Sequence, residues 1–344
     1  MVGFGGSTRV GERARGERGA MTETTHRPAR TLRSRVAPAI GLFLLAPLVA
    51  EFLLGNLPIT MLPGLVLLAP LYGGGALLVR EVVRRAGRGV PTMLVLGLAY
   101  GLLEEGIGTQ SLFNPNYAGV HLLDDGFVPT LGIAGPWTVF VLTLHAVFSV
   151  TAPIVVVESL VPDRARTPWL GRVGLTVAAV LFVAGLAGTF AMSLAMDPFL
   201  APVPSLVAVA VLAALLVVLA FRLPRLELTT GAVPPAWLVL VGGLVAGAAF
   251  MLVQGLPGVP AMVLTLLVEA VLATVAIRLS TRDGWSGRHT LALGAAALLT
   301  YTWHAFPQDP ILPVAPTVDL IGNAIFAAAA MTLLAIAARR TPRG

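Results

Sequence analysis

The sequence contains no cysteine and no lysine, and both absences narrow what the chain can do. Without cysteine there is no disulfide, no thiol nucleophile and no thiolate metal ligand. Without lysine there is no Schiff base and no lysine general base, and all 23 positive residues are arginine. Charge is also scarce, at 12% of residues where a soluble domain carries roughly 25%. The rest is 56% hydrophobic, which is typical of a membrane protein.

Ten apolar segments, each long enough to cross a bilayer, follow one another along the chain. They cover residues 37–56, 60–80, 90–108, 136–160, 171–194, 203–221, 235–254, 256–278, 289–306 and 317–338. Clusters of proline, glycine and aspartate separate them. The sequence therefore predicts an all-α, polytopic transmembrane helix bundle of about ten spans, with residues 37–340 forming a single transmembrane domain.

The arginines predict an orientation because all of them fall on one side of this ten-span pattern. They lie in the N-terminal tail, after every second span and at the C-terminal end. The opposite gaps hold aspartates instead, namely Asp124, Asp125, Asp197 and Asp309. Cytoplasmic segments carry the excess of positive residues. Both termini are therefore expected in the cytoplasm, in the inner (plasma) membrane of a bacterial-type cell.

Two segments lie outside the spans. Residues 1–36 are polar, rich in glycine and arginine and without hydrophobic periodicity, which predicts a disordered basic cytoplasmic tail. Anionic lipid of the inner leaflet is its expected partner. Nucleic acid is not expected, because the arginines follow the membrane topology. Residues 109–135 form an external loop, for which a folded cap, a re-entrant segment and a plain structured loop all fit.

Several ionisable residues lie inside the predicted spans. Glu104 and Glu105 stand side by side in the third span. A charge at mid-bilayer costs about 2.5–3.5 kcal/mol even on a lenient scale, so such residues are functional by default. At a rise of 1.5 Å per residue, Glu104 lies about 21 Å from the arginine-rich side, and Glu51 and His304 lie at a similar depth. His145 lies about 13 Å from the opposite side. We therefore predict a polar site in the outer half of the membrane.

Neighbours on the same helical faces extend this predicted site, since residues three or four apart share a face. Tyr100 precedes Glu104 by one turn, whereas Tyr301 and Gln308 flank His304. The predicted binding residues are Glu51, His304, Tyr100, Tyr301 and Gln308. A set of structural helix–helix hydrogen bonds is the alternative interpretation.

The third span also has features that bear on helix packing. Gly97 and Gly101 form a small-xxx-small pair, which lets another helix approach closely. Adjacent helical residues are about 100° apart. Glu104 and Glu105 are therefore expected to diverge, with one in the site and the other bonded to a neighbouring helix.

The Glu104-Glu105 pair, with His145 in the next span, resembles the CAAX-protease and bacteriocin-processing family of intramembrane proteases. That family carries Glu-Glu-x-x-x-Arg, then Phe-x-x-x-His, then a further His with Asn or Asp one turn later. The resemblance covers spans 3 and 4. It implies a glutamate-type hydrolase in which Glu104 or Glu105 activates water and His145 assists.

The chain departs from that pattern at several positions. Thr109 replaces the arginine, Val141 stands four residues before His145, and Gln308 follows the next intramembrane histidine, His304. An inactive relative therefore also fits.

Two other functional classes are consistent with the sequence. A proton-coupled secondary transporter fits the glycine-rich spans and the Glu and His residues at one depth, which can relay protons. A non-catalytic membrane scaffold is the third class. His and Glu can bind zinc, but the His-Glu-x-x-His pattern is absent, so no metal and no cofactor are predicted. The sequence does not define a substrate.

Overall fold

The computed structural model describes residues 1–5 and 32–342, so most of the predicted N-terminal tail lies outside the described residues. The described chain is built almost entirely of helices. They are α1 (Leu32–Pro47), α2 (Leu65–Arg85), α3 (Val90–Leu103), α4 (Gly135–Thr143), α5 (Ala152–Leu160), α6 (Arg172–Met196), α7 (Val203–Arg222), α8 (Ala236–Val253), α9 (Gly258–Ser280), α10 (Gly287–His304) and α11 (Pro316–Arg340). Short 3₁₀ turns cover Ile59–Gly64, Tyr117–Gly119 and Pro162–Arg164.

Three π-helical segments interrupt or extend these helices in the described chain. The segment π1 (Leu48–Leu53) continues α1, π2 (Glu104–Gly108) continues α3, and π3 (Leu144–Thr151) joins α4 to α5. A π-helix is rare, and it occurs frequently at functional sites. Each of the three contains ionisable residues of the predicted polar site.

Nine helical segments of the described chain are long and apolar enough to cross a membrane, which confirms the all-α, polytopic class. The predicted span 289–306 coincides with α10, which is not among the nine. Composition accounts for the difference, because α10 carries Arg288 and His289 in its first turn and ends with His304. α10 packs against α5, α8 and α11 and buries Leu291, Leu298 and Tyr301, so much of its surface is covered by protein. The orientation of the termini stays a prediction.

The membrane-spanning helices differ in the share of residues that are buried: one central helix is mostly buried, and four peripheral helices are mostly exposed. The continuous helix Gly135–Leu160, made of α4, π3 and α5, is 78% buried. In contrast, only 11–17% of each apolar window in α6, α7, α8 and α9 is buried. These four helices offer apolar side chains to the surroundings, as lipid-facing helices do. The His145 side chain therefore lies on the most enclosed of the nine segments.

The loop of residues 109–135 is folded and tied to neighbouring helix ends. It contains an antiparallel hairpin of β1 (Phe127–Val128) and β2 (Ile133–Ala134). Gln110 Oε1 accepts the backbone N–H of Ala201 at 2.7 Å, and Asn114 Nδ2 donates to Asp197 at 2.7 Å. These bonds fix the loop against the connection between α6 and α7.

Candidate functional site

Glu105 is a buried carboxylate in which both oxygens are hydrogen-bonded. Its Oε1 lies 2.7 Å from His145 Nε2, and its Oε2 accepts the Thr109 hydroxyl at 2.9 Å and the Ser111 hydroxyl. Ser111 Oγ in turn accepts the indole N–H of Trp137 at 3.2 Å. In neutral His145 the proton on Nε2 faces Glu105, which leaves the lone pair of Nδ1 directed away from it. Glu105 therefore sets the orientation of the imidazole.

Glu104 approaches the same imidazole from its other nitrogen. Its Oε2 lies 3.3 Å from His145 Nδ1. Neither atom has a hydrogen-bond partner among the described residues, although Glu104 is only 2% exposed and His145 only 5%. The expectation that the two adjacent glutamates diverge is wrong, because both carboxylates flank one imidazole. Here π2 replaces the regular α-helical geometry on which that expectation depended.

Glycine permits the close packing that brings these side chains together. A Cβ on Gly97 would lie 2.7 Å from the Cα of Ala146, and a Cβ on Gly101 would lie 3.0 Å from the Cβ of His145. The predicted small-xxx-small pair thus faces π3, at the turn that carries His145. Since backbone atoms form the contact at Gly97, a larger residue there would push α3 away from π3.

Two tyrosines enclose the imidazole. The ring centroids of Tyr100 and His145 are 5.7 Å apart, and those of Tyr72 and His145 are 6.2 Å apart with nearly parallel planes. Tyr100 is 3% exposed, and its hydroxyl has no hydrogen-bond partner. Sequence reasoning missed Tyr72. The sequence signal for Tyr72 was its position directly before Gly73-Gly74-Gly75. Other helices approach these glycines closely, so a tyrosine beside them lies at a helix contact.

Glu51, at the start of the polar site in chain order, connects to it through Tyr72. The Tyr72 hydroxyl donates to Glu51 Oε1, and Asn56 Nδ2 donates to Glu51 Oε2 at 2.5 Å. Because Glu51 lies on π1, all three π-helical segments contribute to one polar region. Ser111, Thr109 and Trp137 were also missed, since they lie in or beside the 109–135 loop.

The predicted residues near the end of α10 make their contacts with groups other than the two glutamates and His145. Tyr301 is buried and stacks on Phe148 with ring centroids 4.3 Å apart. His304 is partly exposed at the last position of α10, and Gln308 donates to the Asp309 carbonyl at 3.1 Å. Within the described part of the chain, no hydrogen bond or ion pair joins His304 or Gln308 to the two glutamates or to His145.

The donor set has the chemistry of a metal site as well as of an acid–base site. Glu104, Glu105 and His145 each offer one ligand atom, and these atoms lie within 4.8 Å of one another. We call these three residues the imidazole cluster. Carboxylate oxygen and imidazole nitrogen are ligands that zinc accepts.

The fold and the cluster define a polytopic α-helical membrane protein with a buried carboxylate–imidazole–carboxylate arrangement. Residues 42–340 match the sequence model of an uncharacterized membrane protein family, and the chain belongs to that family. Comparisons with curated proteins and with solved structures give no match. The family description names no activity, so the resemblance to CAAX proteases stays a prediction.

Proposed function

We propose that this membrane protein is an intramembrane hydrolase that uses the imidazole cluster to activate water. One observation carries the proposal. His145 is held between a fully hydrogen-bonded carboxylate, Glu105, and a carboxylate with a free buried oxygen, Glu104. A base positioned by a second group and facing an unpartnered polar atom is the arrangement expected of acid–base catalysis.

The geometry suggests a division of roles. Glu105 orients His145, His145 Nδ1 accepts one proton of a water molecule, and Glu104 Oε2 accepts a hydrogen bond from the other O–H of that water. The water oxygen forms a bond to the substrate carbonyl carbon, the bond from that carbon to the leaving group breaks, and the proton passes to the leaving group. The buried Tyr100 hydroxyl, one turn from Glu104, is the candidate donor to the developing oxyanion.

The test works without an identified substrate. Membranes from cells producing the wild-type chain, Glu104→Gln or His145→Ala are compared by mass spectrometry of new protein and peptide termini. We expect wild-type-specific termini that fall at least ~10²-fold in both variants, since a positioned acid–base group contributes that much. Glu269→Gln is the matched control, because Glu269 contacts Thr143 rather than the cluster. Identical termini in wild type and both cluster variants would contradict the proposal.

A proton-coupled transporter is the second candidate, and a specific contact chain favours it. Trp137 donates to Ser111, Ser111 donates to Glu105, and Glu105 contacts His145, which lies beside Glu104. The part of this chain from Ser111 to Glu104 can relay a proton from the 109–135 loop into the membrane, whereas the Trp137 indole only donates a hydrogen bond to it. In proteoliposomes with an internal pH dye, a transporter would dissipate an imposed pH gradient, and Glu104→Gln would stop it. A non-catalytic membrane scaffold would produce neither new protein termini nor loss of the imposed pH gradient.

We also propose that the arginine-bearing helix ends face the cytoplasm of the inner membrane. Arg88 donates to the Leu223 carbonyl at 2.7 Å and Arg340 donates to the Leu160 carbonyl at 3.1 Å, so these ends meet on one side. The positive-inside rule assigns that side to the cytoplasm. Because the chain has no cysteine, single cysteines at Thr229 and Val120 can test it. A membrane-impermeant thiol reagent added to intact cells should label only the second variant.

A further inference from the structure

The polar region carries an excess of negative groups. It contains three carboxylates, Glu51, Glu104 and Glu105, but a single imidazole. Arg80, Arg84 and Arg85 pair with Glu81 and Glu158 instead. Carboxylates removed from water are costly unless positive charge accompanies them. The arrangement therefore calls for a cation, which can be supplied as bound metal or as protons.

The geometry points to a divalent cation of the zinc class bound between Glu104 Oε2 and His145 Nδ1. We propose this site because the two atoms are 3.3 Å apart, buried and without hydrogen-bond partners. Two ligands of a tetrahedral ion with bonds of about 2.0–2.1 Å lie about 3.3 Å from each other. Glu104 Oε2 and His145 Nδ1 thus have the separation of two ligands of one tetrahedral ion. Their orientation does not form a hydrogen bond with each other.

Glu105 has a different role in this site. Its Oε1 is 2.7 Å from Nε2, on the opposite edge of the imidazole from Glu104. A histidine that binds metal through one nitrogen commonly donates the other N–H to a carboxylate, which fixes the ring and strengthens the ligand. Glu105 is therefore assigned as the positioning residue, with Glu104 and His145 as the ligands.

Two protein ligands leave coordination positions for water and substrate, and an open position is what distinguishes a catalytic metal site from a structural one, in which four protein ligands fill the coordination sphere. Catalytic use of the ion rests on the proposed hydrolase function, and in the loaded protein Glu104 and His145 would hold the ion, which would supply the activation of water in place of proton acceptance by these two side chains. Binding of the ion does not rest on that function, because it can be measured with no substrate present.

The experiment uses the full-length protein purified in detergent, stripped with a chelator and titrated with ZnCl₂ or with MnCl₂. Metal content is measured by mass spectrometry, and thermal unfolding is followed in parallel. We expect the wild type to bind one equivalent and to unfold at a higher temperature when loaded. Glu105→Gln should weaken binding about 10–100-fold, the usual effect of losing such a partner, and Glu104→Gln and His145→Ala should weaken it at least as much. Glu269→Gln should bind like the wild type.

The controls separate the outcomes. Unfolding of each stripped variant shows that it is folded, and Glu104→Gln preserves side-chain volume where His145→Ala does not. No stoichiometric binding by the wild type, or equal binding by the wild type and both ligand variants, would overturn the metal proposal in favour of protonated carboxylates. Metal binding without new termini would instead overturn the hydrolase proposal alone.

Discussion

Two buried clusters of charged side chains in this molecule differ in how completely they are satisfied. At the arginine-rich end lies the arginine network, which we define as Arg80, Glu81, Arg84 and Glu158. It lies on regular α-helix, whereas the imidazole cluster lies on π2 and π3. Glu81 and Glu158 are both buried, and both are paired with arginine.

The buried Arg80 guanidinium has its charge compensated and each of its nitrogens hydrogen-bonded. Arg80 is 0% exposed, and its guanidinium contacts Glu81 at 2.6 Å and Glu158 at 3.1 Å. The remaining nitrogen donates to the carbonyls of Arg164, Ala165 and Thr167. The guanidinium carbon lies 3.4 Å from the centre of the Trp169 ring. Charge is compensated here and the donors are used.

The imidazole cluster lacks both properties, because it has a carboxylate excess and unpartnered atoms at Glu104 and His145. The contrast teaches that burial of charge alone does not mark a functional site. A network whose charges are compensated and whose polar atoms are all hydrogen-bonded stabilises the fold. A network with unpartnered polar atoms can still bind a ligand or transfer protons. The following predictions test this distinction.

The largest effect is expected in the arginine network. Glu158→Gln removes the carboxylate shared by Arg80 and Arg84, and leaving buried positive charge uncompensated costs about 3–5 kcal/mol. Thermal and denaturant unfolding of the purified protein measures this loss. Glu227→Gln, at an exposed position on the same end, should change the free energy of unfolding by less than about 0.5 kcal/mol. Equal stability of the two variants would show that the network does not stabilise the fold.

An intermediate effect is expected where α3 meets π3. Gly97→Ala places a methyl group against the Ala146 backbone, and overpacking of this kind costs about 1–3 kcal/mol. It should also impair any activity of the imidazole cluster by moving Glu104 relative to His145. Gly188→Ala is the matched control in α6, where nothing lies within 4 Å of the added methyl group. Indistinguishable unfolding temperatures for the two variants would contradict the close approach.

The smallest effect on stability is expected in the imidazole cluster itself. In protein stripped of metal, Glu104→Gln removes a buried carboxylate with a free oxygen, so the free energy of unfolding should stay unchanged or rise by up to about 1 kcal/mol. Function should be lost at the same time. Parallel unfolding of Glu104→Gln and Glu158→Gln checks the opposite signs. A loss near that of Glu158→Gln would assign Glu104 a structural role.

Most of the fold could be predicted from the sequence, because apolar length and proline or glycine punctuation are local signals. Each of the ten predicted spans coincides with a helical segment. The weak point is α10, whose composition is less apolar because it carries Arg288 and His289 at one end and His304 at the other. The π-helical segments could not be predicted, since they depend on tertiary contacts rather than on local composition.

Only part of the candidate site could be predicted from the sequence. Depth counting placed Glu104 and His145 near each other, because distance along a helix follows from residue number. It placed His304 at the same depth, but depth says nothing of lateral position in the bundle. Partners from the 109–135 loop, such as Ser111, have no periodic signal at all. Only the packed structure reveals them.

The composition of α10 has a consequence for the biogenesis of the protein. A helix bounded by Arg288, His289 and His304 does not partition readily into lipid as a single segment. α10 packs against α5, α8 and α11, so protein rather than lipid surrounds much of this helix. We therefore expect insertion of α10 to be completed cooperatively, after synthesis of α11. Translation halted before Pro316 should leave α10 accessible at the membrane surface, while the apolar segments that precede it are already inserted.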